Sequence, residues 1–414
     1  MLWPVVVALT VAAPSVALTD AIGRLGAGSF RDREAAAREL RTAGPRAVGP
    51  LTSAVRSADP EVRRRATTLL ETIEAERLGT PTLITLHADR RPTAAVVAEL
   101  SRQSGYPLVF DPTLIPGSAV TLHRDRVPFW AAVADVCDAA KLAANVLDDG
   151  RIELTPTDAT DPFVSYAGPF KVTATDVHTG QHRPLAGLPR RGLPPAGPGP
   201  LHLSFTLTAE PKAAVVGVGQ PTVHAADDDR GLNLKPAADA EQTSYSPPAV
   251  GHRALVHVFS IDLHRGDKAA TTVRTVRGVV PVAVLAGVTP DAVLDDVPTA
   301  KGRTVRGRAA DLTLNAATEA DGLLCLDVTV TRTAAAPDDD WQNSLSQRLE
   351  LTDAAGRVWR FAGVASQSSD PRSATLAVQF HPPVAGAKPA RLTLVEWRTV
   401  SRDVAFEFRD LPLP

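Results

Sequence analysis

The stretch from Thr82 to Thr155 constrains the fold most, because it contains two consecutive strand–helix–strand patterns. Its predicted strands are short apolar runs, at 84–86, 108–110 and 119–122. Its predicted helices have apolar residues at helical spacing, over 92–104 and from Pro128 onward. Gly105 ends the first helix, because glycine readily takes the left-handed conformation found at helix ends. These patterns together predict one small α/β module.

The module closes with a predicted hairpin that pairs 143–147 with 151–154. The turn between the two strands, Asp148-Asp149-Gly150, contains an Asp-Gly pair, which is typical of short hairpin loops. The module is therefore predicted to be of the β-α-β-β-α-β type, with this two-stranded hairpin in the last strand position.

Several runs in this module resemble the short N-terminal domain shared by secretins and TonB-dependent receptors. The matching runs are G-Y-P-L-V-F-D-P at 105–112, I-P-G-S-A-V-T-L at 115–122, V-P-F-W-A-A-V at 127–133, and the closing hairpin. The resemblance covers residues 80–157 of a chain of 414. In that family the module is a periplasmic protein-interaction domain, so the resemblance implies binding of a protein partner.

The first residues predict an export signal. An apolar run extends from Leu2 to Val16, and Ser15-Val16-Ala17 offers the small residues that signal peptidase requires. We expect a signal peptide at 1–17 and a periplasmic or secreted mature chain. No Lys or Arg precedes the apolar run, so an apolar N-terminal helix stays the alternative. No later stretch is apolar enough to predict a membrane span.

The segment 18–79 predicts three helices from apolar residues at helical spacing. Asp59-Pro60 places a capping residue before a proline at the first position of the last helix. The string AVGPLTSAVRSADPEVRRRATTLLETI resembles a HEAT repeat. A single repeat cannot form a stack, so we expect it to cap a neighbouring domain. Its basic cluster includes Arg63 and Arg64, candidate partner-binding residues, with a solvated helix face as the alternative.

From residue 163 onward the pattern changes to strand periodicity, with clean alternation in LHLSFTLT, LDVTVT and VAFEF. Many short strands separated by Pro and Gly predict antiparallel β-sandwiches. A faint internal repeat predicts two of them, at 163–286 and 287–414. The Pro- and Gly-rich stretch 185–200 is predicted to be an insertion in the first sandwich, because proline removes ladder donors.

The composition excludes several classes of partner and framework. The 44 Lys and Arg nearly balance the 46 Asp and Glu, so no net field draws the chain to nucleic acid. The only two cysteines, Cys137 and Cys325, are too few for a disulfide framework. We therefore predict that both are buried apolar residues.

The sequence offers little for catalysis or metal binding. It contains neither a nucleophile elbow nor an H-E-x-x-H motif. His252 and His264 would share a strand face but lie too far apart for one ion. The acidic triplets 227–229 and 338–340 lack the alternating order of a calcium loop, and turns explain them better. We predict no enzyme activity, no cofactor and no metal. Trp341 is the remaining candidate partner-binding residue, with core packing as the alternative.

The overall prediction is a multi-domain α+β chain. An N-terminal helical repeat precedes the small β-α-β-β-α-β domain and two antiparallel β-sandwich domains. The predicted function is a non-catalytic periplasmic or cell-envelope scaffold that holds other envelope proteins by strand addition at an exposed edge. Two alternatives stay open. One is carbohydrate or peptidoglycan binding, which requires an exposed aromatic platform among Trp341, Trp359 and Trp397. The other is a soluble component of a secretion assembly, with an oligomeric state that the sequence does not decide.

Overall fold

The computed structural model describes most of the chain, at residues 16–147, 150–159, 161–179, 199–234, 253–265, 269–333, 341–370 and 372–414. The chain divides into two compact units, Met1–Thr80 and Pro81–Pro414. The predicted signal peptide lies outside the described residues apart from Val16 and Ala17, and the predicted insertion lies outside them apart from Gly199 and Pro200.

The first unit is helical. Its helices are α1 (Val16–Arg24), α2 (Phe30–Ala43), α3 (Val48–Ala54) and α4 (Pro60–Gly79). The last three confirm the predicted helices, and the Asp59 carboxylate accepts the N–H groups of Glu61 and Val62 at the start of α4. The helix α1 was not predicted, because its first residues were assigned to the signal peptide. Apolar side chains from all four helices form one core.

The second unit begins with the predicted α/β module. Its elements are β1 (Leu83–Pro92), α5 (Thr93–Ser104), β2 (Leu108–Phe110), β3 (Ala119–Pro128), α6 (Phe129–Ala140), β4 (Leu142–Val146) and β5 (Ile152–Pro156). Strands β1 and β3 form one antiparallel pair, and β2, β5 and β4 form a sheet in that order. Both helices bury apolar residues in the core that these strands share, such as Val96, Leu100 and Phe129. The two predicted helices and the predicted strands are present, and the closing hairpin contributes two strands, β4 and β5, to the end of the module.

The rest of the unit is built from antiparallel strands, which confirms a mixed α/β chain with several antiparallel sheets. The strands are β6 (Val164–Ala167), β7 (Phe170–Thr179), β8 (Pro200–Ala209), β9 (Val215–Val218), β10 (Thr222–Asp228), β11 (Val256–His264), β12 (Thr272–Asp295), β13 (Thr304–Val305), β14 (Ala310–Ala320), β15 (Leu323–Arg332), β16 (Leu349–Asp353), β17 (Arg360–Ser369), β18 (Ser373–His381) and β19 (Pro389–Pro412). A short helix, α7 (Trp341–Ser344), precedes β16.

These strands form three sheets among the described residues. Their orders are β11-β8-β7-β6, then β10-β12-β19-β16 with β9 also paired to β12, and β13-β14-β15-β18-β17. One apolar core contains side chains from the last two sheets, including Leu294, Leu326 and Leu392. Alternate residues of the strands face that core, as the period of two in the sequence predicts.

The strands β12 and β19 form a long antiparallel ribbon. Each has 24 residues, and their pairing runs from Thr272 with Pro412 to Asp295 with Arg391. The predicted boundary between residues 286 and 287 falls inside β12. Near the end of β19, the ring of Phe408 lies 5.2 Å from that of Phe205, between centroids. The last strand of the chain therefore packs on both of the regions that the sequence pattern separates.

Candidate functional site

The candidate residues Arg63 and Arg64 lie on α4 of the first unit. The Arg63 Nη1 atom donates to the Ser57 carbonyl at 2.6 Å. The Arg64 guanidinium donates to both oxygens of Glu61, at 2.9 and 3.0 Å, and its side chain is 66% exposed. Both arginines are therefore engaged with their own helix and the loop before it.

The third candidate, Trp341, starts α7 in the second unit. It is only 6% exposed and belongs to the core shared by two sheets. The Arg332 guanidinium lies over the Trp341 ring, with 5.2 Å between its carbon and the ring centroid. Arg332 and Trp341 both line a cleft of about 210 Å³. Trp341 is therefore both a core residue and a wall of an open cleft.

A second tryptophan also lines this cleft, which we call the tryptophan cleft. Trp397, on β19, is half-buried, and the Arg348 guanidinium lies 5.0 Å from its ring centroid. Arg348 also donates from Nε to the Ser344 hydroxyl at 2.8 Å. The remaining lining residues are Asp291, Ala309, Ala310, Val330, Leu345, Leu394, Val395 and Glu396.

The two carboxylates of the tryptophan cleft are already engaged. The Asp291 carboxylate accepts backbone N–H groups from Arg308, Ala309 and Ala310, at 2.7, 3.1 and 3.0 Å. The Glu396 carboxylate accepts the Arg308 guanidinium at 2.6 Å. This side of the cleft is therefore neutralised by groups that belong to the fold.

Trp359 is 4% exposed and packs in the same core as Trp341. Since Trp397 is half-buried beneath Arg348, the three tryptophans do not form an open aromatic platform. The feature that carbohydrate binding required of these residues is not seen.

A buried carboxylate joins the α/β module to the sheet that follows it. Glu210, just after β8, is 0% exposed. It accepts the Thr82 N–H at 3.0 Å, the Thr82 hydroxyl at 2.6 Å and the Tyr106 phenol at 2.8 Å, and Lys212 Nζ lies 3.4 Å away. Burial raises the pKa of the Tyr106 phenol well above its usual range, so the phenol stays a donor. We call this cluster the Glu210 joint.

A second feature of the module is the strand β4, which lies at one edge of the sheet β2-β5-β4. Leu147 N donates to Arg151 O at 2.8 Å, and Thr157 N donates to Lys141 O at 3.0 Å. In an antiparallel ladder the hydrogen-bonded pairs alternate with pairs that make no such bonds. These two bonds therefore fix which residues of β4 bond to β5.

By that alternation, Ala143 and Asn145 direct their backbone groups to β5. The N–H and C=O groups of Leu142, Ala144 and Val146 point outward, and no strand of the described residues pairs with them. The strand carries no proline, no charged residue and no bulge. These are the devices that usually block an edge strand, so β4 is an unprotected edge.

Two other regions of the unit, the β1–β3 pair and the edge strand β17, carry such devices. The pairing of β1 with β3 is interrupted by register shifts between Ile84 and Leu86 and between Ala88 and Arg91. Charged residues lie along both strands, and the edge strand β17 has two register shifts against β18. The strand β4 carries none of these devices along its five residues.

The other chemical candidates serve the fold. Asp228 accepts the N–H groups of Arg230 and Leu232, and Asp229 accepts those of Thr271, as expected for turn residues. The triplet 338–340 and His252 lie outside the described residues. Within the described ranges no group of three or more His, Cys, Asp or Glu is arranged to hold a metal ion.

The two cysteines are free thiols. Cys137 is buried as predicted, and burial raises its pKa to about 12. Cys325 is half-buried, because it faces away from the main core on β15. Among the described helices, none is long and apolar enough to cross a membrane.

Two features were missed by sequence reasoning. Glu210 stands alone in the apolar run LHLSFTLTAEPKAAVVGV, and an isolated acid in such a run is the signal that indicates a buried, hydrogen-bonded carboxylate. The contact between the Arg332 guanidinium and the Trp341 ring has no local signal in the sequence, because the residues between them show neither a helix nor a strand pattern.

Comparisons with known proteins add no identity. No family model matches the chain, and no curated protein matches it in sequence. A solved structure, described as the conserved domain protein from Bacillus anthracis, aligns with 64% of this chain and 90% of its own at 10% identity, with a TM-score of 0.17. A similarity at this level carries no argument about fold or function.

Proposed function

We propose that this chain is an exported, non-catalytic envelope protein that holds a protein partner by strand addition to β4. In this proposal the secretin- and TonB-like module binds the partner, and a helical repeat and two β-sandwiches complete the mature chain. The periplasmic or secreted location rests on the export signal predicted at 1–17.

The observation that carries this proposal is the unprotected edge of β4. Alternate residues there offer outward N–H and C=O groups, and Ala143, Ala144 and Val146 supply small, half-buried side chains beside them. A partner segment in extended conformation would continue the sheet through main-chain hydrogen bonds. Side-chain pockets beside the strand would then provide specificity.

The alternative of a soluble component in a secretion assembly stays a prediction. It uses the same module and requires that copies of this chain assemble through it. No observation favours carbohydrate or peptidoglycan binding over it, since the three tryptophans form no platform.

The proposal is tested with a matched pair of substitutions at Ala144. Ala144→Pro removes the outward N–H, and the ladder to β5 is kept because Ala143 and Asn145 form it. The control Ala144→Val introduces a side chain similar in size to that of proline and keeps the N–H. We expect cross-linking pull-down from the native envelope to recover the same partners with the wild type and Ala144→Val, and to lose them with Ala144→Pro.

Recovery of the same partners by a folded Ala144→Pro protein would contradict strand addition at β4. Circular dichroism of both variants checks that the fold is intact. Mass spectrometry of the mature chain tests export separately, with Leu18 expected as the first residue. An unprocessed chain that begins at Met1 and stays in the cytoplasm would contradict the proposed location.

A further inference from the structure

We infer that His87 and His123 form a binding site for a divalent transition-metal ion, such as Zn²⁺, on the exposed face of the β1–β3 pair. This inference goes beyond the strand-addition proposal and does not rest on it, because neither β1 nor β3 belongs to the sheet that contains β4.

The first step is the position of the two histidines. His87 and His123 are directly opposite each other in the antiparallel pairing of β1 with β3. Both side chains are exposed, and their rings are stacked, with 5.7 Å between centroids and 28° between planes. Zinc lies about 2.0–2.1 Å from an imidazole nitrogen, so two imidazoles on one tetrahedral ion have ring centroids roughly 5 Å apart. Small side-chain rotations would therefore bring both rings onto one ion.

The second step is the hydrogen bonding of the two rings. The Asp125 carboxylate lies 2.8 Å from Nε2 of His87, and Nδ1 of that ring has no hydrogen-bond partner among the described residues. The His123 ring makes no hydrogen bond within the described part of the chain. A carboxylate that accepts from one imidazole nitrogen while the other nitrogen binds the ion is the usual arrangement around metal-bound histidine. Asp125 is therefore a positioning residue for His87.

The third step is an internal repeat that places both histidines. The run T-L-H-x-D-R-x-P occurs twice, at 85–92 on β1 and at 121–128 on β3. A helix of twelve residues follows each copy directly, α5 after the first and α6 after the second. The antiparallel register relates the two copies by a pseudo-twofold axis between His87 and His123.

The other repeated residues include several that the fold requires. The repeated leucines are buried, and the repeated threonines satisfy the bulges of the β1–β3 pair. Thr121 Oγ1 accepts the Arg90 N–H at 3.0 Å, and Thr85 Oγ1 accepts the Arg126 N–H at 3.1 Å. The repeated histidines are exposed and belong neither to the core nor to these bulge contacts. A shared ligand accounts for their presence at the same place in both copies.

The fourth step is the choice of ion. Imidazole nitrogens suit Zn²⁺, Cu²⁺ and Ni²⁺, whereas Mg²⁺ and Ca²⁺ prefer oxygen ligands. The described ranges contain no group of three or more metal-binding side chains, so the ion has two protein ligands here and water in its other positions. The pair is not visible in the sequence, because only the register of β1 with β3 brings the two residues together.

The test is a titration of the full mature chain, without an affinity tag, with zinc sulfate. Calorimetry measures the affinity, and NMR of ¹⁵N-labelled imidazole rings identifies the ligands. We expect saturable binding with shifts at the ring nitrogens of His87 and His123, and no such shifts with magnesium sulfate. Zinc should also raise the unfolding temperature, because the unfolded chain does not hold the two rings together.

Two substitutions remove a ligand and one removes the positioning carboxylate. His87→Asn and His123→Asn should each weaken zinc binding at least about hundredfold, because two ligands on one rigid ribbon bind far more tightly than either alone. Asp125→Asn keeps both ligands and should weaken zinc binding about tenfold. All three side chains are exposed, so circular dichroism of the variants should match the wild type.

The matched control is His202→Asn. His202 on β8 is also opposite a histidine, His178 on β7, and also bonds to a carboxylate, that of Asp262. Among the described residues the rings of His178 and His202 are not in contact, so we expect unchanged zinc affinity in His202→Asn.

Equal zinc affinity in the wild type and in a folded His87→Asn or His123→Asn protein would overturn the inference. Absence of saturable zinc binding at millimolar concentrations would overturn it as well. Loss of binding in His202→Asn but not in His87→Asn would place the ion elsewhere and contradict the assignment. Failure of the Ala144→Pro experiment leaves these outcomes unaffected, so the two proposals are tested separately.

Discussion

The small α/β module has two contrasting polar surfaces, the Glu210 joint and the β4 edge. At the joint, the buried Glu210 carboxylate accepts hydrogen bonds from Thr82 and Tyr106 and forms an ion pair with Lys212. At the edge, the backbone groups of Leu142, Ala144 and Val146 have no strand partner in the described residues. A fully satisfied polar cluster fixes the module in its unit, whereas an unsatisfied row of backbone groups is free to bind.

The largest effect is expected at the joint. Glu210→Ala leaves the buried Thr82 N–H without its acceptor, and it leaves the Tyr106 phenol and the Lys212 ammonium with only the Thr82 hydroxyl beside them. Removal of one member of a buried charged cluster costs about 3–5 kcal/mol. We expect urea denaturation to show that loss in the free energy of unfolding.

The matched control is Glu350→Ala, which removes an exposed glutamate on β16 and should change stability by less than about 0.5 kcal/mol. Equal stability of Glu210→Ala and Glu350→Ala would show that the joint does not fix the module.

A second prediction concerns the interior of the module, where Cys137 of α6 is buried. The folded pKa of Cys137 is about 12 because the thiol is buried, whereas an unfolded cysteine ionises near ~8.5. The unfolded state therefore loses its proton first as pH rises. Stability from this group is complete below pH ~8.5 and falls by about 1.4 kcal/mol per pH unit above it, or about 2 kcal/mol at pH 10.

Chemical denaturation at a series of pH values checks this expectation. The fall above pH ~8.5 should be smaller in Cys137→Ala than in the wild type. Cys325→Ala is the control for loss of a cysteine elsewhere. The same slope in the wild type and Cys137→Ala would contradict the assignment.

A smaller effect is expected from Thr82→Val, which keeps the shape of Thr82 and removes its hydroxyl. The backbone N–H of residue 82 still donates to Glu210, so only the hydroxyl contacts with Glu210, Tyr106 and Lys212 are lost. We expect a loss of about 1–1.5 kcal/mol in the free energy of unfolding. A loss as large as that of Glu210→Ala would mean that Thr82, and not the carboxylate, holds the joint together.

The smallest effect on stability is expected at the edge. Ala144→Pro removes an N–H that no strand of the described fold uses. Its free energy of unfolding, measured by thermal denaturation, should therefore lie within about 1 kcal/mol of that of Ala144→Val. A loss of several kcal/mol would place the Ala144 N–H in the β4–β5 ladder and reverse the alternation derived above.

The module was predictable from sequence because its signals are local. Apolar spacing gives α5 and α6, Gly105 ends α5 at φ 71°, and the Gly150 turn closes the hairpin. The proposed site depends on which backbone groups of β4 point away from β5. The sequence could not predict this, because it depends on how β4 pairs with β5.

The long ribbon was not predictable for the same reason. The pairing of Thr272 with Pro412 joins segments far apart in the sequence, and no local pattern encodes a contact of that range. The alternating run VAFEF at 404–408 is therefore only part of the continuous strand β19. Trp341 was singled out from the sequence as a candidate partner-binding residue, but its place between core and cleft depends on Arg332 of β15 and Trp397 of β19.

Amide hydrogen exchange along β4 tests the central claim most directly. In the free protein, we expect slow exchange at Ala143 and Asn145, whose amides bond to β5, and fast exchange at Ala144 and Val146. In complex with a partner recovered by pull-down, the amides of Ala144 and Val146 should become protected. Slow exchange at Ala144 in the free monomer, or unchanged exchange at Ala144 and Val146 in the complex, would contradict strand addition at this edge.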